Sequence, residues 1–273
     1  MLGGGGVTGV AWELGVLAGL AERGVDLAGA DLVVGTSAGS VVGAQLTSGR
    51  PVAELYQAQL AGPGQEVARR LGGRTLAGMF WAVMRAPTPL AARQRLGRLA
   101  VAARTGSEDE RKAIIASRLP STGWPEQKLV ITAVDTATGE PAFFDRDSGV
   151  PLADAVAASC AVPGVWPPVT INGRRWMDGG MRSAANADLA DGYDRVVVIA
   201  PLTRGFGPMV GAAKQVAALA ERSRVVLVAP DKQAKAAIGR NVLDPARRAP
   251  AARAGHAQSA TVAAAVAEVW HVR

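Results

Sequence analysis

Val33-Val34-Gly35-Thr36-Ser37-Ala38-Gly39-Ser40-Val41-Val42-Gly43 carries a short apolar run into a helical pattern through a serine set between glycines. Asp31 to Val34 reads as a buried parallel strand, and Ser40 to Ser48 as a helix stopped by Gly49-Arg50-Pro51. Gly35-Thr36-Ser37-Ala38-Gly39 fits G-x-S-x-G in that strand–turn–helix setting. On such a turn the serine backbone is strained, small neighbours let strand and helix approach, and the hydroxyl stands clear of the sheet. The helix N-terminus adds unpaired N–H groups and positive potential, which suit a developing oxyanion. The plain alternative for Ser37 is a helix N-cap.

Outward from this turn, strands and helices alternate. Ala11 to Arg23 has helical spacing and stops at Gly24. Lys128 to Val134 and Pro141 to Phe144 read as strands joined through Thr138-Gly139. Val169 to Ile171 and Arg175 to Met177 flank Asn172-Gly173, a hairpin signal. Arg195 to Ala200 and Arg224 to Ala229 are near-continuous apolar runs, which suit central strands covered on both faces, with a helix over Met209 to Arg222 between them. From Pro245 to Val272 the chain is Ala-rich and helical, its apolar face weakly marked. Alternation of this kind predicts an α/β fold with a parallel sheet, and without repeat or linker the 273 residues read as a single domain, 1–273.

A serine hydroxyl needs a base. The two histidines, His256 and His271, both lie in the Ala-rich tail and read as surface residues; His256 would still fit the order of a Ser-His-Asp esterase. Asp178, before Gly179-Gly180, follows a strand at a tight glycine turn that can aim a carboxylate into a cleft; its alternative is an ordinary surface Asp-Gly turn. Asn186 is placed to cap the next helix. Near the N-terminus, Gly3-Gly4-Gly5-Gly6-Val7-Thr8-Gly9 precedes a helix, and consecutive glycines leave backbone N–H groups free to converge on a phosphate or an oxyanion. Gly4 to Gly9 also has dinucleotide spacing, but Asp31 opens the next strand rather than closing it, which favours the oxyanion reading.

Net charge is +7, and Cys160 is alone, so neither a disulfide framework nor a metal cluster is expected. No signal peptide or membrane-spanning stretch is evident, which leads to the expectation of a cytoplasmic protein, soluble or peripheral at the membrane. Between Val67 and Ser107 stand eight arginines (Arg69, Arg70, Arg74, Arg85, Arg93, Arg95, Arg98 and Arg104) and no acidic residue, with Met79-Phe80-Trp81 and Met84 among them. Two readings apply: a solvated helical face, or a patch that docks on anionic lipid. No aromatic platform or known module accompanies the arginines, so nucleic acid is not an expected partner.

Glycine loop, G-x-S-x-G and a distant Asp-Gly-Gly, in that order, resemble the patatin-like phospholipase family over roughly residues 1 to 200. Gly9 to Leu20, Ala158-Ser159-Cys160-Ala161-Val162-Pro163 and Trp166-Pro167-Pro168-Val169 extend the resemblance. It implies a three-layer α/β/α patatin-like fold with a mostly parallel central sheet, and residues 65–107 as a variable helical cap. It implies further a lipid acyl hydrolase in which Ser37 is the nucleophile, Asp178 the base, and the amides of Gly4, Gly5 and Gly6 the oxyanion hole. Gly9, Gly35, Gly39, Gly179 and Gly180 support these motifs. Lipid or acyl esters would be the substrates, without metal or organic cofactor. A binding protein that keeps the fold without catalysis is the remaining alternative. Two departures stand out. Thr8 replaces a frequent Arg or Lys, and only Met1 and Leu2 occupy the place of the family's first strand, so either the start lies upstream or the sheet edge is incomplete.

Overall fold

The computed structural model describes residues 1–62, 73–205 and 209–271, without the side chains of 74–76. Arg69 and Arg70 lie outside the described residues, as does the side chain of Arg74.

In chain order the elements are helix α1 (Gly6–Ala21), strand β1 (Val33–Gly35) and helices α2 (Ala38–Leu46), α3 (Val52–Leu60), α4 (Gly73–Met84), α5 (Pro89–Ala102) and α6 (Glu108–Ala116). Strands β2 (Leu129–Asp135) and β3 (Pro141–Phe144) lead to α7 (Leu152–Ser159) and the hairpin β4 (Val169–Ile171) and β5 (Arg174–Asp178). Strand β6 (Arg195–Ile199), α8 (Ala212–Leu219), β7 (Arg224–Val228), α9 (Lys232–Ile238) and α10 (Arg248–Trp270) complete the order.

β1 pairs parallel with β2 and β6 parallel with β7, while β2–β3, β2–β5 and β4–β5 are antiparallel. The sheet is therefore mixed, parallel on one side and antiparallel around the β4–β5 hairpin. That hairpin turns through Asn172 and Gly173, both at positive φ (50° and 74°), which suits the right-handed twist of its strands. Leu2 joins the two halves by single parallel bridges to Gly35 of β1 and Ile199 of β6. The segment ahead of the glycine loop thus lies between two strands, not at the expected edge of the sheet. β7 pairs with β6 alone among the described strands and is half-buried over much of its length, so its apolar run is that of an outer strand rather than a central one.

α1 starts at Gly6, five residues earlier than its periodicity predicts, and Trp12, Leu14, Val16 and Leu20 are fully buried. Its closest neighbour is α10. A Cβ on Gly15 would lie 2.1 Å from the Ala252 carbonyl oxygen, and one on Gly255 2.2 Å from that of Trp12. The two backbones meet through small residues, which explains why the apolar face of α10 is so weakly marked in the sequence. Polar atoms within this contact are paired: Trp12 Nε1 donates to Gln258 Oε1 (3.1 Å), and Gln258 Nε2 donates to the Ala229 carbonyl (2.6 Å).

Candidate active site

The strand β1 ends at Gly35 and α2 begins at Ala38, which leaves two residues to reverse the chain. Ser37 takes up the reversal at φ 52° and ψ −114°, a conformation costly for a residue with a Cβ. Close approach is what demands glycine beside it: a Cβ on Gly39 would sit 2.1 Å from the Leu2 carbonyl oxygen. The Gly39 amide also donates to the Gly3 carbonyl (2.9 Å), tying the elbow to the glycine loop.

The strained serine is held from both sides. Its N–H donates to Ser159 Oγ (2.9 Å), and its carbonyl accepts from Ser40 Oγ (2.6 Å) and Cys160 Sγ (3.3 Å). Burial pushes the Cys160 thiol up, which keeps it protonated as a donor. One residue further on, the Ala161 carbonyl accepts from the Asp178 amide (3.0 Å). A single tripeptide at the end of α7 therefore grips the main chain of both Ser37 and Asp178. Ser159 and Cys160 carried no chemical signal of their own in the sequence beyond the matching stretch Ala158 to Pro163.

Asp178 closes β5 and is 2% exposed. The Gly180 amide donates to its Oδ1 (2.7 Å), and the Ser37 side chain is near enough to favour the ionised carboxyl. Burial outweighs both influences and pushes the carboxyl up to about 6.

Ser37 and Asp178 open into one cavity of about 230 Å³, shared with Gly4, Gly5, Gly6 and Gly180 and walled largely by apolar side chains such as Val10, Val41, Val162 and Leu243. The Gly4 amide donates to the Ala184 carbonyl (2.7 Å), so it is already committed. Among the described residues, the amides of Gly5, Gly6 and Ala38 have no protein acceptor. Of the three glycine amides expected as donors, that of Gly4 is thus bonded within the protein, while those of Gly5 and Gly6 are open, as is that of Ala38 at the start of α2. Thr8 is buried and turned toward the Val242 carbonyl, to which its N–H donates (3.1 Å). Buried Arg111 stacks over the Trp166 ring at 3.8 Å, and both line the cavity, which sequence reasoning did not foresee.

His256 is elsewhere. Its Nε2 contacts Glu22 Oε2 (2.9 Å), its ring stacks on Tyr56, and it lines no part of this cavity; His271 contacts the Gly24 carbonyl. Asn186 does not cap a helix: its side chain makes no capping bond and instead turns inward, toward Thr36. Among the described residues no group of His, Cys, Asp and Glu side chains is placed to hold a metal ion, and no helix is long and apolar enough to cross a membrane.

Fold and site together define an α/β protein with a serine elbow, a facing buried carboxyl and a glycine-rich loop at one apolar cavity. The chain belongs to the patatin-like phospholipase family, whose sequence model matches residues 1–191. It has the fold of that family. Among solved structures it is similar to VipD from Legionella pneumophila, at 12% identity and a TM-score of 0.44, over 96% of this chain and 66% of that one. The chain thus spans just under two thirds of the VipD chain. No curated protein matches the sequence.

Proposed function

We propose that the chain is a serine acyl hydrolase that cleaves carboxylic esters of lipids through Ser37 and Asp178, by way of an acyl-enzyme. Family membership supports the lipid substrate class. The observation that carries the mechanism is the buried Asp178 carboxyl beside the Ser37 hydroxyl in an apolar cavity.

In the first half-reaction Ser37 Oγ attacks the ester carbonyl carbon while Asp178 takes its proton. The carbonyl oxygen becomes an oxyanion and is received by the N–H groups of Gly5, Gly6 and Ala38. Collapse breaks the bond to the alcohol, which leaves with the proton from Asp178. Water then gives a proton to Asp178 as it attacks the acyl-enzyme, and collapse breaks the bond to Ser37 Oγ, which takes that proton back from Asp178 as the fatty acid leaves. A carboxyl at about 6 serves both directions at neutral pH, since it is ionised at rest yet basic enough to accept a proton. A histidine is not required, and His256 is committed to Glu22 and Tyr56.

The same reading gives the protein a lipid surface to work on. Met79 of α4 lines the cavity, while Phe80, Trp81 and Met84 of the same helix are about half exposed. Arg85 lies over the Trp81 ring at 4.5 Å. This apolar, basic rim docks on anionic lipid, each basic residue near the surface contributing ~1 kcal/mol. The whole chain, residues 1–273, serves as one catalytic domain, because α10 packs into the helix that carries the glycine loop.

The test is a panel of acyl esters and phospholipids with wild type, Ser37→Ala and Asp178→Asn, together with a fluorophosphonate probe. Wild type turns over acyl esters and is labelled at Ser37; each substitution lowers kcat by about a hundredfold or more. Undiminished turnover in Asp178→Asn, or a wild type that is neither active nor labelled, overturns the reading.

A further inference from the structure

Asn186 is fully buried and sits at φ 46°, a left-handed conformation that asparagine adopts more readily than most residues other than glycine. Its side chain does not satisfy its own helix end. Nδ2 lies 2.9 Å from Thr36 Oγ1 and 2.9 Å from the Ser183 carbonyl, with Thr132 Oγ1 at 3.3 Å and the Gly179 carbonyl at 3.4 Å. An amide nitrogen has two hydrogens, so the two shorter contacts take them. Oδ1 accepts from Arg182 Nη1 (2.7 Å), which fixes the side chain the right way round, since a flipped amide would set donor against donor. Arg182 is itself paired with Asp188.

The partners give this one amide its place in the site. Thr36 immediately precedes Ser37, and Gly179 immediately follows Asp178. Thr132 of β2 also donates to Thr36 Oγ1 (3.0 Å), and a Cβ on Gly179 would sit 2.2 Å from Thr132 Oγ1. The turn carrying the serine and the loop carrying the aspartate are thus drawn against the same strand, with the Asn186 amide across the joint.

We infer that Asn186 is a positioning residue: its Nδ2 braces Thr36 against the loop that follows Asp178 and so sets the separation between the Ser37 hydroxyl and the Asp178 carboxyl. The inference rests on the Ser37–Asp178 reading of the active site. It extends that reading to a residue eight positions beyond Asp178 whose bonded partner Thr36 lies 150 positions away in sequence. Misplacement of reacting groups by about 1 Å lowers rates by ~100-fold, so a brace of this kind acts on kcat rather than on substrate affinity.

The test compares Asn186→Asp, Thr36→Val, Ser37→Ala and Asp178→Asn on a soluble short-chain ester, with folding followed by circular dichroism. Asn186→Asp keeps the shape and the Arg182 contact but loses both donated bonds and adds an anion near Asp178. The expected result is a fall in kcat of roughly 10- to 100-fold with KM within about threefold, and an acid limb of the pH–rate profile displaced to higher pH. Thr36→Val removes the acceptor without adding charge, so kcat falls and the limb stays in place. Charged and titratable groups around the pair are Cys160, Arg111 and Arg118 on the cavity side and Arg182 with Asp188 beyond Asn186; no variant alters them. A folded Asn186→Asp with wild-type kcat and pH profile overturns the inference; should that variant not fold, a folded Thr36→Val with wild-type kcat does so. Activity surviving in Asp178→Asn instead overturns the dyad reading, so the two failures are told apart.

Discussion

Burial sets the working range of Asp178. Its carboxyl lies near 6 in the folded chain against 3.8 for an ordinary side chain. In the proposed mechanism the ionised form is needed, so kcat/KM is expected to fall as pH drops through about 6. For stability the sign is the opposite. A carboxyl raised by folding binds its proton more tightly in the native state, so its contribution is most favourable below the unfolded value and is lost as pH rises through the folded one. Asp178→Asn removes that charged burial. The difference between 3.8 and about 6 corresponds to ~3 kcal/mol above pH 7, shrinking to about half that at pH 5. The variant is expected to melt higher than wild type at pH 8, and by a smaller margin at pH 5, while losing activity. Scanning calorimetry at both pH values checks this, and equal margins would remove burial as the cause. At Ser159 the expectation runs the other way. Ser159→Ala leaves the Ser37 amide without its acceptor, at ~1–3 kcal/mol, and loosens the elbow. Fluorophosphonate labelling of Ser37 is expected to slow by about tenfold, with a lower melting temperature.

At the scale of elements, the contact of α1 with α10 is built from glycine and alanine. Gly255→Ala would place a Cβ 2.2 Å from the Trp12 carbonyl oxygen, which forces the helices apart. A destabilisation of about 1–3 kcal/mol in urea unfolding is expected. Gly29→Ala, with nothing within 4 Å of its added Cβ, serves as the neutral control. The same contact shows what the sequence could and could not reveal. Strands announced themselves wherever β-branched or aromatic runs were bounded by turn residues, as in β2, β3 and the Asn172-Gly173 hairpin. The start of α1 was hidden because Gly6 to Val10 are poor helix markers, and the role of α10 because small residues leave no hydropathy pattern. The outer position of β7 was hidden because an apolar run does not report which of its edges is paired. Within the candidate site, Ser37, Asp178 and the glycine loop stood out as candidates because chemistry restricts those residue types, and the fold brings them to one cavity. Ser159, Cys160 and Asn186 were not legible in these roles, since they act by hydrogen bonds to the Ser37 main chain or to Thr36, 122 to 150 residues away, a spacing that only the fold creates.

For the molecule as a whole, the proposed function raises the question of how the cavity would reach an ester held in a bilayer. Net charge of +7 draws the protein toward anionic surfaces in general, but charge alone does not orient it. Orientation requires apolar side chains at the cavity rim. Phe80, Trp81 and Met84 supply them on α4, whose Met79 faces the cavity, and Leu202 adds another exposed apolar group to the lining. Replacing Phe80 and Trp81 together with alanine removes apolar contact worth about 2 kcal/mol, roughly thirtyfold in binding. Sedimentation with vesicles of anionic phospholipid is expected to show that loss, and wild-type binding is expected to weaken as salt rises, because screening acts on the arginine contribution. Hydrolysis of a soluble short-chain ester is expected to stay at the wild-type rate, since neither side chain lines the cavity. Equal binding of wild type to neutral and anionic vesicles would remove the electrostatic part of this picture. Unchanged vesicle binding by the double variant would remove α4 as the docking element and leave the catalytic reading untouched.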